Sequence, residues 1–166
     1  SDVDKMQEKT FDESNFAIKS ATKTSPFVTT FVLQEMKLLI QLIGHGLILL
    51  ALIHVIFPKA FNWKNQLATL SLINRQLMTV HTFFIALTVF LMGVLCITSA
   101  HELLTTALGK RILGGLAIFW GIRLVTQLFW YSPQLWKGKP RETSIHILFL
   151  AIWLSITTIF TIAATS

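Results

Sequence analysis

Apolar residues along this chain fall into four long runs separated by short polar stretches, and none of the runs alternates with a period of two. The runs cover residues 38–57, 77–99, about 112–131 and about 144–164; Pro58 closes the first, Arg123 interrupts the third and Pro133 follows it. Each run approaches or exceeds the length of about 20 residues that a helix needs to cross the hydrocarbon layer. A backbone group left unpaired in lipid costs several kcal/mol, so such segments are helices or strands of a closed barrel. Barrel strands would show about ten residues of strict alternation. The pattern therefore predicts an all-α integral membrane protein, a multi-pass four-transmembrane-helix bundle over residues 33–166. Residues 1–32 are expected to form a polar N-terminal tail or a peripheral segment ordered by a partner.

The connections differ in character. Residues 101–111 form a short link, and SPQLWKGKPRET is a Pro/Gly/Lys turn. The 58–76 link is longer, with Leu67, Leu70 and Ile73 at three-residue spacing. It reads equally as a short interfacial amphipathic helix or as a plain loop. We call the face on which the first span begins side A and the opposite face side B. Trp63, Trp130, Tyr131 and Trp136 then fall on side B as an aromatic belt. Lys and Arg near the span ends are spread almost evenly over the two sides, so the positive-inside rule gives no orientation.

Composition agrees with a bilayer solvent. The 166 residues are 53% hydrophobic and 13% charged, whereas soluble domains carry about a quarter charged residues. The net charge of +6 is scattered over the span ends, which suits lipid headgroups and not nucleic acid. Residues 1–30 carry both signs of charge and show no secretory signal. Cys96 is the single cysteine, which excludes an intramolecular disulfide and CxxC metal or redox chemistry.

With the spans placed, depth follows from the helical rise of about 1.5 Å per residue. On that scale His54 lies roughly 5 Å inside side B, His81 and Gln127 roughly 6 Å, and His146 roughly 3 Å. Each span thus contributes one imidazole or amide to a single layer near side B. Two polar residues lie deeper. His45 sits in the first span with Gln41 one turn earlier, a second candidate polar site. Arg123 shares a helix face with Trp120, Gln127 and Trp130. No Asp or Glu occurs inside any run, so the Arg123 charge must be met by water, backbone carbonyls or an anionic ligand. His45 and His54 are nine residues apart, on opposite sides of the first helix.

A histidine in lipid is either interhelical glue, bonded to a neighbouring hydroxyl or carbonyl, or a functional group. Read functionally, His81 and His146 are candidate axial ligands of haem b, with Arg123 and Gln127 meeting its charge or orienting it. His54, His81 and His146 together would instead suit a transition metal (Fe, Cu or Zn) with one position left for water or substrate. No nucleophile, base and orienting acid stand together, so hydrolase chemistry is not indicated. In span count and histidine use the chain is similar to small four-helix b-type cytochromes and quinone-reactive membrane anchors. That resemblance implies electron transfer or quinone-linked redox chemistry, as in a respiratory chain. Two alternatives stay open. One is a non-catalytic subunit or assembly factor of a larger membrane complex, with other membrane subunits as partners and a lipid or quinone as ligand. The other is a small-solute or proton carrier.

Overall fold

The computed structural model describes Gln7 and residues 26–166, which are helical without a strand. The chain divides into two units, Ser1–Glu35 and Met36–Ser166, and the contacts and cavities that follow lie in the second. The expected polar tail lies mostly outside the described residues; helix α1, Pro26–Ala60, already begins within it. Helix α2, Trp63–Gln66, is a single turn. Then come α3, Leu72–Thr98, α4, Ala100–Thr105, and α5, Ala107–Phe129. A 3-10 turn at Pro133–Leu135 leads into α6, Pro140–Thr165. The long helices α1, α3, α5 and α6 are long and apolar enough to cross a membrane. The chain is an all-α four-helix membrane bundle.

Local chemistry sets the breaks. Pro58 sits in the last turn of α1, where it has no N–H to give the ladder; the last rung is the Phe61 N–H on the Phe57 carbonyl at 2.9 Å, and the chain turns through Asn62 at φ 48°. The 58–76 link is not one interfacial helix: it holds the end of α1, the single turn α2 and the start of α3, with Leu67 and Leu70 in the turn between α2 and α3 and Ile73 already in α3. Thr106 separates α4 from α5, and its hydroxyl accepts from the Gly109 N–H at 2.9 Å, an N-cap. Gly109 is required there, because a Cβ would stand 2.3 Å from the Glu102 carbonyl oxygen. On side B, Gly138 takes φ +79°, a conformation glycine adopts without steric cost. The Thr143 hydroxyl then lies 2.6 Å from the Trp136 carbonyl and 2.8 Å from that of Lys139, which ties the link to α6. Helices overrun the apolar runs because a hydrogen-bonded helix continues as readily in headgroups as in hydrocarbon.

Two helix pairings differ in kind. Helix α5 packs along α6, burying Trp120, Trp153, Ile156 and Phe160, with the two indoles stacked at 4.9 Å and 18°. Helix α1 meets α3 through backbone contact. A Cβ on Gly44 would lie 2.8 Å from the Gly93 carbonyl oxygen, and one on Gly93 2.7 Å from that of Gly44. Gln41 Nε2 donates to the Ile97 carbonyl beside this crossing at 3.3 Å. Small residues permit such an approach, where dispersion and polar contacts drive association in place of the hydrophobic effect. Gly46, Gly114 and Gly115 serve no such contact, having nothing within 4 Å of a built Cβ. Only 17–28% of the most apolar window of each long helix is buried inside the protein. The remaining apolar surface is matched to lipid tails.

Substituting leucine at Gly93, or valine at Gly44, is expected to cost about 1–3 kcal/mol, the usual penalty of overpacking. Gly114→Ala is expected to leave stability unchanged or raise it, since alanine is the better helix former. Unfolding midpoints in one detergent, measured side by side, check the contrast.

Candidate functional site

The long helices do not close on one another throughout the side-B half. Between them lies a cavity of about 410 Å³. Helix α1 lines it with Leu50, His54 and Phe57, α3 with Ile85 and Val89, α5 with Trp120, Arg123 and Gln127, and α6 with Phe149 and Trp153. Tyr131, just beyond α5, closes the side-B end. Most of this wall is aromatic or aliphatic. Among the described residues that line it, Arg123 is the one Lys or Arg.

Arg123 reaches towards side B. Its Nη1 donates to Gln127 Oε1 at 3.0 Å, one turn further along α5. Its guanidinium carbon lies 5.2 Å from the Trp153 ring centroid and 5.8 Å from that of Tyr131. A cation over an aromatic face gains about 0.5–1 kcal/mol when exposed and about 2 when desolvated. These partners are an amide oxygen and two π faces; no carboxylate is among them. The guanidinium has five N–H donors, and one is used here. Behind the surface, Trp120 Nε1 and Trp153 Nε1 are buried without an acceptor among the described residues. The wall is rich in donors and poor in acceptors.

Gln127 is the buried polar residue of α5, and it carries the arrangement one step further. Its Nε2 lies 3.0 Å from His146 Nδ1. Arginine can only donate, so the amide oxygen faces Arg123 and the amide NH₂ faces the imidazole. His146 Nδ1 is therefore an acceptor and its proton sits on Nε2. The ring stacks on Trp136 at 4.8 Å and 9°. His54 has the opposite tautomer when neutral, because its Nδ1 lies 2.7 Å from the Leu50 carbonyl oxygen, which only accepts. That leaves the His54 Nε2 lone pair free.

The residues of the expected side-B layer are thus distributed over several places. His54 lines the cavity. His146 lines a smaller neighbouring cavity of about 180 Å³ that shares Gln127, Tyr131 and Phe149 with it. His81 is exposed, with Nδ1 on the carbonyl of Leu77, and lines neither. Among the described residues no three His, Cys, Asp or Glu side chains gather as a metal site would require. The expected metal trio His54, His81 and His146 is not assembled, because depth alone does not fix azimuth: His81 faces outward from α3. His45 is likewise exposed, with Nδ1 on the Gln41 carbonyl, while the Gln41 side chain turns to Ile97. Those two therefore form no joint side-chain site. Of the Arg123 face, Trp120 and Gln127 join the cavity, whereas Trp130 is 85% exposed.

Sequence reasoning placed Tyr131 only in the aromatic belt and did not single out Phe149 or Trp153. A signal was available for the last two. They stand three and seven residues after His146, on one helix face. Comparison with protein-family models, curated proteins and solved structures gives no match for this chain.

Two expectations test the geometry. Ring ¹⁵N shifts of neutral His146 are expected to report an Nε2–H tautomer, and those of His54 an Nδ1–H tautomer. Gln127→Leu leaves a guanidinium donor and an imidazole acceptor unmet, and is expected to cost about 1–3 kcal/mol in detergent unfolding.

Proposed function

We propose that this chain is a membrane-embedded ligand-binding protein whose side-B cavity recognises an anionic oxygen group, a carboxylate or phosphate, through Arg123. The observation that carries this reading is a half-buried guanidinium whose partners are one amide oxygen and two aromatic rings. Ionisable groups within membrane spans are costly and as a rule pair with an opposite charge or line a polar cavity. Ligand pockets of roughly 300–1,000 Å³ with apolar walls and a few convergent polar groups are the usual form of a small-molecule site. This cavity has that size and that lining. Gln127 holds the guanidinium in place, and His146 holds Gln127. His54, on the α1 wall, supplies a neutral acceptor for a hydroxyl on the same ligand.

Haem b remains compatible with this wall in one respect, since its propionates are anionic and His54 offers one free nitrogen. The histidine pair of the haem reading is less favoured, with His81 outward. As a redox component the chain would be coloured or metal-loaded, which separates the readings.

Purified protein in a non-ionic detergent is titrated with butyl phosphate or butyrate, and with butanol as the neutral control, following tryptophan fluorescence. The anions are expected to give a saturable change that butanol does not. Arg123→Gln is expected to weaken it about tenfold or more, corresponding to about 1.4 kcal/mol; Arg123→Lys, which keeps the charge, is expected to recover part of the loss. Equal response to butanol, or indifference to Arg123→Gln in a variant that still unfolds cooperatively, would overturn the reading. A Soret band, or stoichiometric Fe, Cu or Zn lost in His54→Ala, would return the site to a redox role.

A further inference from the structure

Helices α1 and α6 are splayed along their outer faces. The gap between them is a groove of about 600 Å³, lined by Leu42, Gly46 and Ile53 on one side and Leu148, Ile152 and Ile159 on the other, among further apolar residues. Its single hydroxyl, on Ser155, is bonded to the Ala151 carbonyl of its own helix at 2.8 Å. Among the described lining residues the one other polar side-chain atom is Trp153 Nε1, which is buried. The groove adjoins the Arg123 cavity, with Leu50, Phe149 and Trp153 as a common wall.

Three features agree on what would lie there. From Leu42 to Ile53 the groove extends eleven residues, roughly 16 Å of helix. That is about half the hydrocarbon thickness of ~30 Å, a length that suits a single hydrocarbon tail. Its side-B end reaches past the level of the cation: by the span ends Ile53 lies roughly 6 Å inside side B and Arg123 roughly 12 Å. Finally, the two compartments are complementary in kind, one cationic and donor-rich, the other almost entirely apolar, and they share a wall.

We infer that the ligand of this protein is a membrane-derived anionic amphiphile, with its head group at Arg123 and one hydrocarbon tail lying in the α1/α6 groove, entering sideways from the bilayer. This rests on the anion-binding reading of the cavity and names the class of molecule it takes. A ligand so placed would enter through the gap between α1 and α6 and not across the side-B loops. Specificity would then have two independent parts, a charge at one end and a single chain at the other.

Gly46 makes the inference testable. It lines the groove, and a Cβ there meets nothing within 4 Å, so Gly46→Phe plugs the groove without touching the Gly44–Gly93 crossing. Butyl phosphate, dodecyl phosphate and dodecanoate are titrated into wild type, Gly46→Phe and Arg123→Gln in nanodiscs of a zwitterionic lipid. In the wild type the dodecyl compounds are expected to bind at least about tenfold tighter than butyl phosphate. Gly46→Phe is expected to remove that advantage and leave butyl phosphate unchanged, whereas Arg123→Gln weakens all three. Equal affinity for short and long chains, or a chain-length advantage that survives Gly46→Phe, would sink the groove as tail site while leaving the Arg123 cavity standing. If butyl phosphate binds no better than butanol in the wild type, the anion reading falls and the amphiphile with it. Gly46→Ala, which adds only one methyl, is expected to match the wild type and controls for damage to α1.

Discussion

A guanidinium within the apolar half of a helix bundle cannot be hydrated as it would be in water, and almost everything distinctive about this protein is arranged around that constraint. Arg123 is held by the amide oxygen of Gln127 and by the faces of Trp153 and Tyr131. Each of these softens the charge and none neutralises it. Gln127 is fixed in turn, since an amide that gives its oxygen to arginine must spend its NH₂ on an acceptor, and His146 Nδ1 is that acceptor. The Trp136 ring lies flat against His146. One cation thereby sets the orientation of an amide, the tautomer of an imidazole and the docking of the side-B link.

The cavity follows from unequal helix packing. Helix α1 meets α3 at a glycine-to-glycine contact, where backbones touch. Helices α5 and α6 are instead joined through large aromatic rings, with Trp120 against Trp153 and Phe149 against Trp153 at 5.6 Å. A bundle that is tight at one seam and bulky at another leaves space between them. Here that space is the Arg123 cavity and the α1/α6 groove beside it. In water an open apolar groove of this size would favour collapse or association. In a bilayer it is filled by acyl chains, so it persists at little cost, and a lipid-like ligand enters it by exchanging with chains already there.

The histidines divide along the same physical line. His45, His54 and His81 each turn Nδ1 onto the carbonyl four residues earlier. This satisfies one ring nitrogen locally, wherever on the helix surface the residue happens to be. Such a bond allows an imidazole to face lipid as readily as a cavity. Only His146 has Nδ1 on the side chain of another helix, and only His54, among the other three, lines the cavity. A shared depth is therefore weak evidence for a shared centre.

The sequence by itself determined the solvent and the architecture. Long apolar runs need their backbone groups paired internally, so four spanning helices follow from length and composition alone. It also determined that Arg123 must find a partner other than a carboxylate, because no acidic residue occurs in the runs, and that Gln127 shares its face. Position along each span follows too, since helical rise is constant. What only the tertiary structure decided was azimuth and closeness: that His81 faces out while His54 faces in, and that Gly44 and Gly93 touch while Gly114 and Gly115 do not. It also decided that Phe149 and Trp153 arrive opposite Arg123. In a soluble bundle an apolar stripe tells which face turns inward. Here the outside is as apolar as the core, so the periodicity carries almost no such mark, and helix rotation is set by contacts that appear only when the four segments come together.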